Sequence, residues 1–191
     1  MVGGYCASGK STFSRRLSQL INIPCFNKDV IKEVLGDGFG QSGGCFDAAS
    51  GGMVIDKGSR VTFLLMLHIA EEFLKAGMPC ILESNFKLNE IEQIQSLLDK
   101  YNCRCLSFIF KGDLDILFYR YMERDDSEKR HWVHSTAGEN SENFGQWHLQ
   151  YGIGKACIGK TIITDATSFT DIDYDELYSA AQEFMLSEAF E

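Results

Sequence analysis

The stretch that decides the fold reads Gly4-Tyr5-Cys6-Ala7-Ser8-Gly9-Lys10-Ser11-Thr12. Residues 4–11 match the phosphate-binding pattern of a glycine, four residues, and then Gly-Lys followed by Ser or Thr. Apolar residues precede the stretch and an amphipathic segment over 10–21 follows it. The motif therefore lies between a predicted strand and a predicted helix, where backbone N–H groups and a helix N-terminus can surround a polyphosphate.

Each position of this loop has a physical task. The glycines let the backbone approach a phosphate closely. Lys10 is of the type that pairs with β- and γ-phosphate oxygens, and Ser11 supplies a hydroxyl ligand for Mg²⁺. We therefore predict that the whole stretch from Gly4 to Thr12 binds a nucleotide, which makes ATP and Mg²⁺ the expected cofactors.

The rest of the chain alternates short apolar runs with longer segments of helical period. This order is typical of repeated strand–helix units around a mainly parallel sheet, so we predict an α/β fold in a single domain over 1–191. The predicted strands are 1–4, 23–26, 78–83, 103–110 and 160–164. The predicted helices are 10–21, 28–35, 57–76, 86–101, 113–125 and 173–189, with a shorter one over 142–151.

The helix over 57–76 carries the clearest apolar stripe of the sequence. Its spacing by threes and fours predicts a buried face, with His68 as a core histidine rather than a catalytic one. The residues with this spacing are Val61, Leu64, Leu65, His68, Ile69, Glu72 and Phe73.

Two carboxylates follow predicted strands. Asp29 comes directly after the second strand and Glu83 ends the third. Because the carboxyl ends of strands in a doubly wound sheet open onto one crevice, both are expected near the phosphates. Asp29 is predicted to accept the proton of an attacking hydroxyl, with a helix N-cap as its alternative role. Glu83 is predicted to hold Mg²⁺ directly or through water, with an ordinary surface carboxylate as the alternative.

A mixed-charge segment over 120–134 begins on the helix after the fourth strand. Arg120 and Arg124 are four residues apart and share one helix face, so both could reach one phosphate, as in a lid over about 120–150. Arg124 and Arg130 are predicted to neutralise charge on a transferred phosphoryl group, and Arg120 to contact the nucleotide. Surface ion pairing with the neighbouring acids is the alternative.

Composition excludes several classes of protein. With 45% hydrophobic residues and only two prolines in 191, the chain is not of the disordered or collagenous kind. No apolar run reaches the ~18 to 20 residues of a membrane helix, and no basic-then-apolar leader is present. The seven cysteines are odd in number and form no Cys-x-x-Cys pair, which argues against a disulfide scaffold or a zinc site. We predict a cytoplasmic protein with no membrane partner.

The net charge of −9 is concentrated in one region. Residues 161–191 hold eight acidic residues and no Lys or Arg, so the remainder of the chain is nearly balanced. A phosphate-binding surface there is compatible with the overall acidity.

These motifs together resemble the P-loop kinase group that includes zeta-toxin-type kinases, chloramphenicol phosphotransferases and polynucleotide 5′-hydroxyl kinases. The resemblance spans most of the chain and implies a three-layer P-loop NTPase fold, with a five-stranded parallel sheet of order 2-3-1-4-5 and a helical lid. It also implies that Asp29 is the base for the acceptor hydroxyl and that lid arginines lie near the nucleotide. It is carried by 4–12, 27–29, 81–86, the arginines at 120, 124 and 130, and 163–167.

The sequence favours an ATP- and Mg²⁺-dependent kinase that phosphorylates a hydroxyl of a small-molecule or nucleoside-like substrate. The predicted acceptor-binding residues are Asp29, Lys32 and Asn85. Polynucleotide kinases of the resembling group carry an arginine three residues after the base, where this chain has Lys32, so a nucleic-acid acceptor is the less favoured alternative. A nucleotide-binding switch protein without catalysis is the alternative from another class.

The sequence leaves open the identity of the acceptor, the choice between ATP and GTP, the oligomeric state, and whether native residues precede Met1. Acceptor specificity is expected in the glycine-rich segment 36–52, which is predicted either to close on a ligand or to be an ordinary flexible loop.

Overall fold

A single five-stranded parallel sheet forms the centre of the molecule. The computed structural model describes residues 1–40, 52–127, 131–134, 140–155 and 157–187, with the side chains of 52–56 and 125–127 left out. Most of the glycine-rich segment and Arg130 lie outside these residues. The strands are β1 (Val2–Gly4), β2 (Cys25–Asn27), β3 (Ile81–Glu83), β4 (Leu106–Lys111) and β5 (Lys160–Asp165).

The strand order is β2-β3-β1-β4-β5, as the resemblance implied. The first strand is central: Val2 pairs with Glu83 of β3 on one side and with Phe108 of β4 on the other. Since every pairing is parallel, the carboxyl ends of β1, β2 and β3 open onto the same edge of the sheet. That edge carries the phosphate-loop motif, Asp29 and the end of β3.

Seven helices occur among the described residues, and the shorter helix expected near 142–151 is one of them. Within the same residues, no helix is both long and apolar enough to cross a membrane. The helices are α1 (Lys10–Ile21), α2 (Lys28–Phe39), α3 (Gly52–Lys75), α4 (Leu88–Tyr101), α5 (Leu114–Ser127), α6 (Ser141–Gln150) and α7 (Tyr174–Leu186).

Two apolar cores lie on the two faces of the sheet. On one face Phe13 of α1 stacks on Tyr178 of α7 with ring centroids 5.2 Å apart, and it also contacts β4. On the other face Phe63 and Met66 of α3 pack with Ile109 of β4. Helices therefore cover both faces, which confirms the three-layer α/β architecture.

The buried face of α3 differs from the predicted stripe. Val61, Leu64 and Leu65 are exposed, and so is His68, so the assignment of a core histidine was wrong. The buried positions among the described side chains are Gly58, Thr62, Phe63, Met66 and Ala70. Apolar residues occur on more than one face of this helix, and the face that carries Phe63 buries the largest ring against the sheet.

Candidate active site

The phosphate-loop motif lies between β1 and α1, as the sequence predicts. Gly4 has a φ of 125°, and a Cβ atom there would stand 1.9 Å from the carbonyl oxygen of Phe110. The next amide, Tyr5 N, donates to that same oxygen at 2.8 Å. Glycine at position 4 is therefore required for the loop to leave the sheet beside β4.

The middle of the loop is a tight, inward-facing turn. Ala7 has a φ of 54°, a left-handed conformation that costs a non-glycine residue about 1–2 kcal/mol. The buried Ser8 hydroxyl donates to Tyr5 O at 2.7 Å and ties the two sides of the turn together. Gly9, with a φ of 84°, lies against the ring of Phe169.

Lys10 opens α1 and folds back over the loop. Its ammonium donates to Tyr5 O, and only 6% of the residue is exposed. Burial lowers the pKa of Lys10 below its usual range, while Glu83 and Asp29 act in the opposite direction. Lys10, Glu83 and Asp29 line one cavity, so the lysine charge acts on both acids that the sequence assigned to the site.

Ser11 and Glu83 supply adjacent oxygen atoms beside the loop. The Ser11 hydroxyl donates to Glu83 Oε1 at 3.4 Å, across the edge where β3 ends. Glu83 is 4% exposed, and burial raises the pKa of its carboxyl to about 7, against the opposing effect of Lys10. A desolvated carboxylate next to a hydroxyl is the donor set that a hard cation prefers, so these residues fit Mg²⁺.

The sequence left two roles open for Asp29, a proton acceptor and the N-cap of the helix, and the structure gives the N-cap to another residue. The N-cap of α2 is Asn27, whose side chain accepts from Val30 N at 3.0 Å. Asp29 lies in the first turn of the helix and lines the cavity in front of the loop. Because Asn27 already satisfies the helix terminus, the Asp29 carboxylate is not occupied by capping.

The cavity extends from the phosphate loop to α6 and has a volume of about 710 Å³. It brings together Asp29, Lys32 and Asn85, the three predicted acceptor residues, with the predicted metal ligands. Asn85 also donates to Cys6 Sγ at 3.1 Å, which anchors it to the loop. The far wall, which sequence reasoning did not assign, consists of Asn143, Gln146, Trp147, Gln150 and Tyr151.

Arg120 and Arg124 are divided between two surfaces. Arg120 donates to the carbonyls of Ala166 and Thr167 after β5 and stacks on Phe169 at 4.1 Å from the ring centroid. Arg124 lines the cavity, and its charge contributes to lowering the pKa of Lys10. Arg124 therefore faces the cavity that contains Lys10, whereas Arg120 contacts the segment that flanks Gly9.

Two long-range contacts beside the cavity were missed by sequence reasoning. Lys28 donates to Glu90 Oε1 at 2.5 Å, and both residues are buried. His134 Nε2 lies 2.7 Å from Glu33 Oε1 and joins the segment after α5 to α2. Among the described residues, no three or more His, Cys, Asp or Glu side chains come together as a metal site. Partners this distant along the chain leave no signal in the spacing of the sequence.

His148 of α6 makes another contact with the loop that the sequence did not reveal. Its Nε2 atom accepts the backbone N–H of Cys6 at 3.1 Å, within the phosphate loop itself. The two residues are 142 positions apart, so neither a motif nor a periodicity could have paired them.

The chain matches no known protein-family profile and no curated protein. Its structure is nevertheless similar to those of many solved proteins. A candidate kinase from Chloroflexus aurantiacus J-10-fl superposes with a TM-score of 0.74 at 22% identity, covering 97% of this chain and 94% of that one. A sugar kinase from Janibacter sp. HTCC2649 gives 0.57 at 14% identity, with 96% and 91% covered. A shikimate kinase from Bacteroides thetaiotaomicron gives 0.53 at 15% identity, with 96% of both chains covered.

At these identities the likeness concerns the fold, and it extends over nearly the whole chain. It agrees with the strand order and with the phosphate-loop motif between β1 and α1. The chain therefore has the fold of the P-loop kinases, which confirms the resemblance seen in the sequence.

Proposed function

We propose that this chain is a kinase that uses ATP and Mg²⁺ to phosphorylate a hydroxyl group of a small-molecule or nucleoside-like acceptor. One observation carries the proposal: Lys10, Ser11, Glu83 and Asp29 line a single cavity of about 710 Å³ at the carboxyl edge of the sheet. That cavity provides a phosphate cradle, a cation site and a carboxylate for an acceptor, which are the parts that phosphoryl transfer needs.

The phosphate loop holds the donor. Its amides and the N-terminus of α1 surround the phosphates, and Lys10 moves from Tyr5 O to the β- and γ-phosphate oxygens. Arg124 lines the same cavity and adds a second cation. Catalysis in this arrangement consists of positioning and of charge stabilisation on the transferred group.

Ser11 and Glu83 would hold Mg²⁺, which supplies charge neutralisation at the phosphates when bound. Asn27 donates its amide to Glu83 Oε2 and so fixes the carboxylate toward Ser11. The residues of the chain therefore orient the cation site before any ligand enters it.

Asp29 acts on the acceptor. The carboxylate takes the proton as the acceptor oxygen forms its bond to the γ-phosphorus, and the bond from that phosphorus to the β–γ bridging oxygen breaks to release ADP. Lys32 lies one turn further along α2 and lines the same cavity, as does Asn85 at the end of β3. In this proposal, these two side chains would contact the acceptor beside its reacting hydroxyl.

The test is transfer of labelled γ-phosphate from ATP, with Mg²⁺, to a panel of sugars, nucleosides, amino-alcohols and 5′-hydroxyl oligonucleotides. We expect a labelled small-molecule product that requires Mg²⁺ and is absent with the Lys10→Met variant. Label on oligonucleotides alone would instead identify a polynucleotide kinase. Binding of ATP with transfer to water only would overturn the proposal in favour of a nucleotide switch.

A further inference from the structure

His148 is almost fully buried between α6 and the phosphate loop. Only 1% of the residue is exposed. Its ring packs edge-on against Tyr5 of the loop, with centroids 4.9 Å apart, and contacts Phe144 and Trp147 of its own helix. A polar ring at such a depth needs a partner for each of its nitrogen atoms.

Both nitrogen atoms have a partner, and the partners determine the tautomer. Nδ1 lies 2.7 Å from Phe144 O, a carbonyl that can only accept. Nε2 lies 3.1 Å from the backbone N–H of Cys6, which can only donate. His148 must therefore be neutral with its proton on Nδ1, because an imidazolium would direct a second N–H at the amide of Cys6.

The surroundings favour the neutral ring. Burial lowers the pKa of His148 to about 4, the Phe144 carbonyl opposes that shift, and the positive charge of Lys10 adds to it. The other groups packed around the ring, Tyr5 and Trp147, carry no charge at neutral pH. Nε2 therefore remains an unprotonated acceptor at neutral pH.

We propose that His148 is a positioning residue for the phosphate-binding loop. It holds the amide of Cys6, the residue directly before the left-handed Ala7, and so fixes the peptide that must turn for the following amides to face the phosphates. The same bond joins the loop to α6, whose Gln146 and Trp147 line the acceptor side of the cavity. The His148 ring therefore fixes the position of the phosphate loop relative to the cavity wall that α6 forms.

This inference rests on the proposed function only in that the loop binds a nucleotide. Affinity for MgATP, measured by calorimetry without an acceptor, is therefore the main readout. A protein that binds MgATP but transfers no phosphate would remove the proposed function and leave the role of His148 testable.

Two substitutions separate positioning from packing. His148→Phe keeps a ring in the core but removes the acceptor, and His148→Gln places a carbonyl oxygen near the position of Nε2. We expect about a tenfold rise in the Kd for MgATP with phenylalanine, the effect of one lost hydrogen bond, and recovery to within about threefold with glutamine. His68→Phe and His68→Gln, on the exposed face of α3, are the matched controls.

Unchanged MgATP affinity in His148→Phe would overturn the proposal, as would an equal loss in both variants. If the phenylalanine variant fails to fold, the unmodified protein still provides a test. Long-range ¹H–¹⁵N spectra should show His148 protonated at Nδ1 and bare at Nε2 from pH 7 down to pH about 5. An Nε2–H tautomer or an imidazolium in that range would contradict the assignment.

Discussion

The side-chain amide of Asn27 donates to Glu83 Oε2 across the neighbouring strands β2 and β3. Its oxygen accepts the amide of Val30 and so caps α2. One side chain therefore fixes both the carboxylate of the candidate cation site and the start of the helix that carries Asp29. The cation site and the candidate base are joined through three consecutive residues, 27–29.

Replacing Asn27 with serine should disconnect these two functions. Serine still caps a helix, but its short hydroxyl does not reach Glu83, which loses a donor at a buried carboxylate. We expect Asn27→Ser to lower the free energy of unfolding by about 1–3 kcal/mol and to raise the Mg²⁺ concentration that gives half-maximal activity. Urea unfolding in EDTA and a Mg²⁺ titration of activity measure the two effects.

The matched control is Asn140→Ser, since Asn140 caps α6 through the same type of bond, to Asn143 N at 2.9 Å. Serine there should change stability by only a few tenths of a kcal/mol. Equal losses in the two variants would show that capping accounts for the whole effect and that the bond to Glu83 contributes nothing.

Asp29→Asn should remove the proton acceptor and leave the donor site intact. The amide keeps the size of the side chain, and Asn27 continues to cap α2. We expect kcat to fall by ~10² or more while the Kd for MgATP changes little. Asp37→Asn provides the control, because Asp37 lies on the same helix, exposed, and pairs with His131 at 2.9 Å. Turnover close to that of the control would exclude Asp29 as the base.

The features that sequence predicts well here are local ones. The motif at 4–12 needs only consecutive residues and a strand–helix context, so the sequence predicts its place between β1 and α1, with Lys10 and Ser11 at the start of that helix. Asp29 and Glu83 followed from their places at strand ends, since parallel topology brings those ends together. The sheet order itself came from resemblance, because short apolar runs do not reveal which strands are neighbours.

The features that sequence missed depend on contacts between distant segments. His148 and Cys6 are 142 positions apart in the chain, and no residue near either of them indicates that they are in contact. The buried face of α3 was misassigned for a related reason: several faces of that helix are apolar, and only the shape of the sheet selects Phe63. Similarly, the spacing of four residues predicted that Arg120 and Arg124 would reach one phosphate. The Arg120 guanidinium instead donates to the carbonyls of Ala166 and Thr167, after β5.

Arg120→Lys should weaken nucleotide binding through Phe169. Arginine donates to two carbonyls and stacks on that ring, whereas lysine provides a single point charge and loses the planar stack. Phe169 lies against Gly9, so a loosened ring leaves one side of the phosphate loop without support. We expect the KM for ATP to rise about threefold to tenfold with a smaller change in kcat.

Arg104→Lys is the matched substitution, since Arg104 stacks on Phe184 at 4.5 Å and donates to its carbonyl at 3.1 Å, away from the cavity. Steady-state kinetics of both variants make the comparison. An unchanged KM for ATP in Arg120→Lys would show that the segment after β5 does not support the loop.

The buried carboxyl of Glu83 should make the stability of the ligand-free protein depend on pH. Its pKa is raised to about 7 from a usual value of 4.5, so the folded protein holds this proton more tightly than the unfolded chain does. The resulting stabilisation is complete below pH about 4.5 and is lost as pH rises through 7. The full difference corresponds to about 3 kcal/mol, at about 1.4 kcal/mol for each pH unit.

Glu83→Gln removes this dependence, because an amide keeps the contacts with Ser11 and Asn27 without a charge. In EDTA, the variant should therefore gain stability relative to the unmodified protein as pH rises from 5 to 8. Urea unfolding at several pH values measures the free energy of unfolding of both proteins. If these free energies changed in parallel with pH, the raised pKa of Glu83 would be contradicted. The proposed Mg²⁺ site needs the ionised carboxylate of the folded protein, so adding Mg²⁺ at pH 8 should restore the stability of the unmodified protein and leave Glu83→Gln unchanged.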